Sequence, residues 1–156
     1  MTENTERLCL EKDRELYFKM KFPEKYIKHG DFVLHSGQHS NVFYDVNALL
    51  TNDFYTRHIL NKIPESGHYV GIATGGAIIA RIASFERMAR FSMVKDGELK
   101  GETPNGSWVL IDDVVTTGSS LLEAISIVGS NPREIIAVVD RRPENKNPEV
   151  TSIFNL

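Results

Sequence analysis

Val109–Ser120, VLIDDVVTTGSS, is the stretch that decides the fold of this chain. Apolar residues run into two adjacent carboxylates, Asp112 and Asp113, and a loop of small hydroxyl residues then leads into a predicted helix. Strands without polar alternation are typical of parallel sheets that helices cover on both faces. In such sheets ligands bind outside the carboxyl ends of the strands, so we expect the two acids to face a ligand.

The loop after the acids has the composition of a phosphate site. Its hydroxyls and backbone N–H groups lie at a helix start, where the helix dipole favours an anion. It lacks the lysine and the glycine spacing of a nucleotide-binding P-loop. The two carboxylates can accept hydrogen bonds, and the loop next to them offers donors that suit a phosphate. This combination indicates a ligand with vicinal hydroxyls near a phosphate, such as a ribose 5-phosphate. The alternative is that these residues only cap the helix. The candidate phosphate-binding residues are Thr116, Thr117, Gly118, Ser119 and Ser120.

Strands and helices alternate on both sides of this stretch, which predicts βαβ units on a mostly parallel sheet. The predicted strands are His68–Ala73, Met88–Val94, Trp108–Ile111 and Glu134–Val139, with a possible edge strand in Val150–Phe154. The predicted helices are Asp53–Lys62, Ala77–Arg87 and Ser119–Val128. Asp96–Asn105 is predicted to be a loop or an exposed hairpin.

The N-terminal part has a different pattern. Helices are predicted over Glu6–Met20 and Glu24–Lys28, the second ending at Gly30 as a C-terminal cap. Asp31–Asp45 predicts two short strands about the turn Ser36-Gly37. We therefore expect one domain, with a helical segment over 1–30 and an α/β unit over 31–156.

Composition excludes several classes of protein. The chain has 156 residues with one cysteine, so an internal disulfide framework and a cysteine-based metal cluster are excluded. The formal net charge of −3 gives no argument for nucleic acid or an anionic membrane as a partner. There is no apolar run of the roughly 20 residues that a membrane helix needs, and the N-terminus does not resemble a signal peptide. The sequence predicts a cytoplasmic protein.

Four motifs resemble type I phosphoribosyltransferases, and one of them is fairly specific to the orotate branch. VLIDDVVTTGSS resembles the signature that binds 5-phosphoribosyl-1-pyrophosphate (PRPP). Gly30–Asp45, GDFVLHSGQHSNVFYD, is similar to an N-terminal element of orotate phosphoribosyltransferases. Gly71–Ala80, GIATGGAIIA, is similar to their pyrophosphate loop, and Val139-Asp140-Arg141 to their V-D-R strand end.

The resemblance implies a Rossmann-like phosphoribosyltransferase domain that converts orotate and PRPP into orotidine 5′-monophosphate and pyrophosphate. It implies Mg²⁺ carried by the substrate rather than by a protein cage, and a homodimer. The implied site residues fall into four groups: Asp112 and Asp113 for ribose; Thr116–Ser120 for the 5-phosphate; Thr74, Gly75, Gly76 and Lys95 for pyrophosphate; Phe43, Tyr44, Arg141 and His35 for the base.

Several of these residues also have ordinary structural interpretations. Thr74-Gly75-Gly76 could form a common βα turn, and Arg141 could be a solvated surface residue. The two aromatic residues could belong to the core, and a lone histidine such as His35 is more often structural. Ser36, Gly37 and Ser40 could serve only to form a turn.

The sequence departs from the resemblance at one place. Orotate phosphoribosyltransferases usually carry a long basic loop that closes over pyrophosphate, whereas Asp96–Asn105 is short and Lys100 is its one basic residue. Removing cationic donors from a leaving group costs about 10²–10³ in rate for each well-placed donor. Two alternatives therefore stay open: another acceptor base, or a non-catalytic protein that senses PRPP or a nucleotide.

Overall fold

The computed structural model describes residues 20–143 and 147–156. The predicted helix over Glu6–Met20 lies outside the described residues except for its last position. The elements in chain order are the hairpin strands β1 (Ile27–Val33) and β2 (His39–Tyr44), then α1 (Val46–Leu49), α2 (Asp53–Lys62), β3 (His68–Ile72), α3 (Gly75–Glu86), β4 (Arg90–Lys95), β5 (Glu98–Lys100), β6 (Val109–Val115), α4 (Ser119–Val128), β7 (Glu134–Asp140) and β8 (Thr151–Ser152).

The central sheet has six strands in the order β5-β4-β3-β6-β7-β8. Strands β4, β3, β6, β7 and β8 run parallel, and β5 is antiparallel at one edge. The prediction of a mostly parallel α/β sheet is confirmed. Within the described ranges, no helix is both long enough and apolar enough to span a bilayer.

Helices cover both faces of the sheet because its strands are apolar on both faces. Val109 and Ile111 of β6 pack into one core with residues of α2 and α3. Leu110, between them, points to the opposite face and packs with Leu121 and Ala124 of α4. All five are fully buried, and burying a leucine side chain contributes about 1.5–3 kcal/mol. Because successive side chains of β6 point to opposite faces of the sheet, this strand contributes to both apolar layers.

Local capping signals set the helix ends. The Asn52 side chain accepts from the Phe54 N–H at 3.0 Å and so caps α2. Helix α4 lies between Gly118 and Gly129, which adopt left-handed φ values of 88° and 85°. These conformations are inexpensive only for glycine, so the sequence itself limits α4 to ten residues.

The predicted helix over Glu24–Lys28 is wrong. A single 3₁₀ turn covers Glu24–Tyr26, and β1 then begins at Ile27. From Ile27 onward the chain pairs antiparallel with β2, with Ile27 opposite Tyr44. This pairing uses backbone N–H groups that a helix would need for its own hydrogen bonds. Gly30 therefore lies inside a strand instead of capping a helix, and the described part of the 1–30 segment has one 3₁₀ turn and no α-helix.

Smaller differences concern element boundaries. Helix α3 begins at Gly75 instead of Ala77, so the two glycines belong to its first turn. Strand β6 continues past Ile111 to Val115 and includes both acids. Strand β4 begins at Arg90, because Met88 adopts a φ of 53° in the preceding turn.

Candidate active site

The candidate site lies where the strand order of the sheet changes direction. From β3 the chain crosses through α3 to β4 on one side, and from β6 it crosses through α4 to β7 on the other. The carboxyl ends of β3 and β6 therefore border a crevice, which is the usual ligand position in open α/β sheets. A cleft of about 400 Å³ opens there.

Most of the predicted site residues line this cleft. They come from the β1–β2 hairpin, the ends of β3, β6 and β7, and the start of α4. The predicted residues in the lining are His35, Phe43, Tyr44, Thr74, Asp112, Asp113, Thr116, Thr117, Gly118, Ser119, Ser120 and Arg141.

The acid pair is held by the backbone of its own strand. Asp112 Oδ1 accepts from the Asp113 N–H at 2.8 Å, and Asp113 Oδ1 accepts from the Val114 N–H at 2.7 Å. Asp112 is 6% exposed. Its burial, and next the negative charge of Asp113, raise the pKa of the Asp112 carboxyl well above its usual value. The pair can accept from neighbouring hydroxyls of one ligand.

Gly75 and Gly76 support the acid pair without lining the cleft. A Cβ on Gly75 would overlap the carboxylate of Asp113, and one on Gly76 would overlap the backbone oxygen of Ile111. These contacts show why glycines stand at the start of α3: they let the helix lie directly against the part of β6 that carries the acids. Thr74 precedes them, lines the cleft and follows a cis peptide bond from Ala73.

The loop 116–120 combines a helix N-terminus with hydroxyl side chains. The Thr117 and Ser119 hydroxyls lie 3.0 Å apart, and the Ser119 N–H donates to Thr117 Oγ1 at 3.3 Å. Helix α4 has no acidic residue in its first turn, so no side chain of that turn offers a carboxylate to its backbone N–H groups. This arrangement suits an oxyanion with several acceptor oxygens.

Arg141 lies across the cleft and is held by the β2 strand. Its Nη2 donates to Ser40 Oγ at 3.0 Å, and its guanidinium lies 5.3 Å from the centre of the Tyr44 ring. Arg141 is therefore not a solvated surface arginine. Phe43, beside them, is 39% exposed. A guanidinium fixed next to aromatic rings can grip the carboxylate of a flat ligand.

Lys95, Lys100 and His35 occupy exposed positions. Lys95 is exposed at the end of β4, outside the cleft lining. The Lys100 side chain pairs with Glu98 on the same short strand. His35 lies on the exposed turn between β1 and β2, at the edge of the cleft. Among residues 20–143 and 147–156, no three His, Cys, Asp or Glu side chains are grouped as a metal site.

The role of Ser40 does not follow from the sequence pattern, which predicts only a turn former at this position. The side chain accepts from Arg141 and donates to the Val42 carbonyl at 2.8 Å. Period-two alternation in β2 is the signal that could have found it, because Ser40 and Tyr44 share the inward face. The apolar lining from Val33, Leu34 and Ile72 was also missed.

Comparison with known proteins gives a consistent result, although no protein-family model matches the chain. The orotate phosphoribosyltransferase of Methanopyrus kandleri is 30% identical over 145 residues, covering 83% of this chain and 79% of that protein. The crystal structure of orotate phosphoribosyltransferase from Aeropyrum pernix has a TM-score of 0.66 at 30% identity, covering 75% of this chain and 77% of that one.

A more distant likeness concerns the fold alone. Adenine phosphoribosyltransferase from Saccharomyces cerevisiae is 15% identical, with a TM-score of 0.62 over 84% of this chain and 95% of that one. The phosphoribosyltransferase fold expected from the motifs is confirmed. Because identity of 30% extends over most of both proteins, this chain belongs to the orotate phosphoribosyltransferase family.

Proposed function

We propose that the protein transfers the phosphoribosyl group of PRPP to orotate, giving orotidine 5′-monophosphate and pyrophosphate. The observation that supports it most is one cleft lined by three features: the acid pair, the N-terminus of α4 and Arg141. The first two suit the ribose hydroxyls and the 5-phosphate of PRPP. The third suits the carboxylate of orotate.

The donor side of the proposal follows the order of groups along the β6–α4 segment. Asp112 and Asp113 lie near the carboxyl end of β6 and would accept from the two ribose hydroxyls, which fixes the sugar. The loop 116–120 comes next and would hold the 5-phosphate at the helix start. Holding both ends of the ribose phosphate orients the C1 carbon toward the base. Much of the entropic cost of bringing the two reactants together is then met when the substrates bind.

The leaving pyrophosphate would lie near Thr74, at the N-terminus of α3, with Lys95 as a further proposed contact. The oxygen donor set at the cleft suits Mg²⁺, which keeps several waters and is commonly held through substrate phosphates. Asp112 and Asp113 would contribute through the ribose hydroxyls rather than as a cage. Bound to the substrate, Mg²⁺ would neutralise charge on the departing pyrophosphate.

Arg141→Ala tests the acceptor assignment. A site built around an arginine discriminates strongly against an analogue without a carboxylate, because the arginine is left unpaired. We expect wild type to use orotate in preference to uracil. We expect Arg141→Ala to lower kcat/KM for orotate by about 10²-fold, with PRPP affinity nearly unchanged. Pyrophosphate release with a panel of bases measures both.

Arg57→Ala is the matched control, since Arg57 is an exposed arginine on α2 outside the cleft. Equal use of uracil and orotate by wild type, or an Arg141→Ala variant as active as wild type, would contradict the orotate assignment. Preference for a different base in the panel would favour another acceptor within the same fold.

A second candidate function is a non-catalytic protein that binds PRPP or a nucleotide. The observation in its favour is the β4–β5 hairpin, which stands where the resemblance implies a long basic loop. PRPP binding without pyrophosphate release for any base would support this candidate and refute the transferase.

We also propose a cytoplasmic homodimer. The outer side of α3 and the turn after it expose three large apolar side chains, Ile78 at 40%, Phe85 at 75% and Met88 at 96%. Ile78 and Phe85 are seven positions apart and so lie on one face of the helix. An exposed apolar helix face is typical of protein interfaces, which supports self-association. The single cysteine supports a reducing compartment.

A further inference from the structure

Arg142 is a buried cation next to the phosphate loop. Its side chain is 4% exposed. The Asp140 carboxylate accepts from Nε and from Nη2, both at 3.0 Å, and the Pro148 carbonyl accepts from Nη2 at 2.9 Å. These contacts fix the plane of the guanidinium. Nη1 has no hydrogen-bond partner among the described residues.

The unpartnered Nη1 lies next to Gly118, the residue that immediately precedes α4. A Cβ built on Gly118 would lie 3.2 Å from Nη1, and its three nearest atoms all belong to Arg142. Gly118 also has a left-handed φ of 88°. Arg142 does not line the cleft, so it supports the loop 116–120 from behind.

A buried N–H group without a partner is costly, and natural proteins keep few of them. Here Nη1 lies next to Gly118, the residue before the first turn of α4. The guanidinium and the N-terminus of a helix both favour negative charge nearby. Asp140 compensates the Nε and Nη2 side of the guanidinium. The Nη1 side is the one in contact with the loop.

We propose that Arg142 is a positioning residue for the 5-phosphate. It holds Gly118 in the conformation that aims the loop N–H groups at the phosphate, and it places a poorly screened positive charge behind them. This inference rests on the proposed phosphate-binding function of the loop 116–120. It distinguishes Arg142, which touches no substrate, from Arg141, which would contact the base.

Titration calorimetry with two probes tests the proposal. Ribose 5-phosphate carries the group held by the loop, whereas pyrophosphate with Mg²⁺ would bind at Thr74. The double variant Asp140→Asn/Arg142→Met removes both partners and so avoids leaving a single buried charge. Asp140→Asn alone keeps the Arg142 cation. Arg57→Met serves as the control for an exposed arginine.

We expect the double variant to bind ribose 5-phosphate about tenfold more weakly, with pyrophosphate affinity unchanged. Asp140→Asn should retain most of the wild-type affinity for both probes. In turnover, the double variant should raise KM for PRPP by a similar factor and leave kcat nearly unchanged. A general loss of packing would instead weaken the binding of both probes and lower kcat as well.

Two results would overturn the inference while the proposed function stands. One is ribose 5-phosphate affinity equal to wild type in the double variant, and the other is an equal loss for both probes. A wild-type protein that binds neither ribose 5-phosphate nor PRPP would overturn the proposed function and this inference with it.

Discussion

At the scale of single residues, the main feature of the site is the pair of adjacent carboxylates near the carboxyl end of β6, where burial disfavours their negative charge. Asp112 is almost fully buried and Asp113 half-buried, and each accepts a backbone N–H from the next residue. Burial and the neighbouring charge raise the pKa of Asp112. Ionised Asp112 is therefore disfavoured in the folded protein until a donor, such as a ribose hydroxyl, compensates it.

The variant Asp112→Asn should change how stability depends on pH. Because the folded-state pKa of Asp112 is raised above 3.8, its contribution to stability is fully present below that value and is lost as pH rises through the folded pKa. Each unit of pKa difference corresponds to about 1.4 kcal/mol. Above the folded pKa, the variant should be more stable than wild type.

Urea unfolding of both proteins from about pH 4 to about pH 8 measures this difference. The free energy of unfolding of wild type should fall relative to that of Asp112→Asn as pH increases. Parallel curves for the two proteins would show that the Asp112 pKa is not raised.

Gly75→Ala should damage the site through packing. The new Cβ would overlap the Asp113 carboxylate, so α3 must shift away from β6 or the acid must turn. We expect a loss of stability of about 1–3 kcal/mol, the range for overpacked positions, and weaker PRPP binding. Gly67→Ala is the matched control, because a Cβ there meets nothing within 4 Å. Equal melting temperatures for the two variants would refute this account.

At the scale of elements, the β4–β5 hairpin is the feature in which this chain departs most from the resemblance. Lys95 pairs with Glu98 across a tight turn in which Asp96 and Gly97 both have positive φ, 52° and 75°. Primed turns of this kind suit the twist of a two-residue hairpin. The segment is therefore ordered by its own pairing, and its Lys100 is engaged with Glu98.

Lys100→Ala should leave kcat/KM for PRPP nearly unchanged, because the lysine is exposed and paired within its own strand. Replacing 96–105 with a longer loop that bears lysine and histidine should raise turnover by about 10²-fold or more, the effect of one well-placed donor to the leaving group. Pyrophosphate release at saturating PRPP measures both variants. A large loss in Lys100→Ala would show that this lysine reaches the pyrophosphate.

The elements that sequence predicted best are those whose signals are local. Helix α4 lies between two glycines, and β6 is a continuous apolar run, so residues within a few positions decide both. The helix prediction for Glu24–Lys28 is wrong because β1 is stabilised by pairing with β2, which helix propensity does not report. The contact of Ser40 with Arg141 spans 101 positions and is created only by the fold.

At the scale of the whole molecule, the parallel sheet brings the separate motifs together. The reversal of strand order between β3 and β6 places Thr74, the acid pair and the start of α4 at one edge. The β1–β2 hairpin closes the other side and orients Arg141 through Ser40. A donor site and an acceptor site thus face each other across one cleft, as a group transfer requires.

Product formation from PRPP, Mg²⁺ and orotate, followed by chromatography, is the most direct test of the proposed transfer. We expect one orotidine 5′-monophosphate for each pyrophosphate released, a requirement for both substrates, and loss of turnover in the variant Asp112→Asn/Asp113→Asn. PRPP binding to wild type with no nucleotide formed would contradict the proposed transfer.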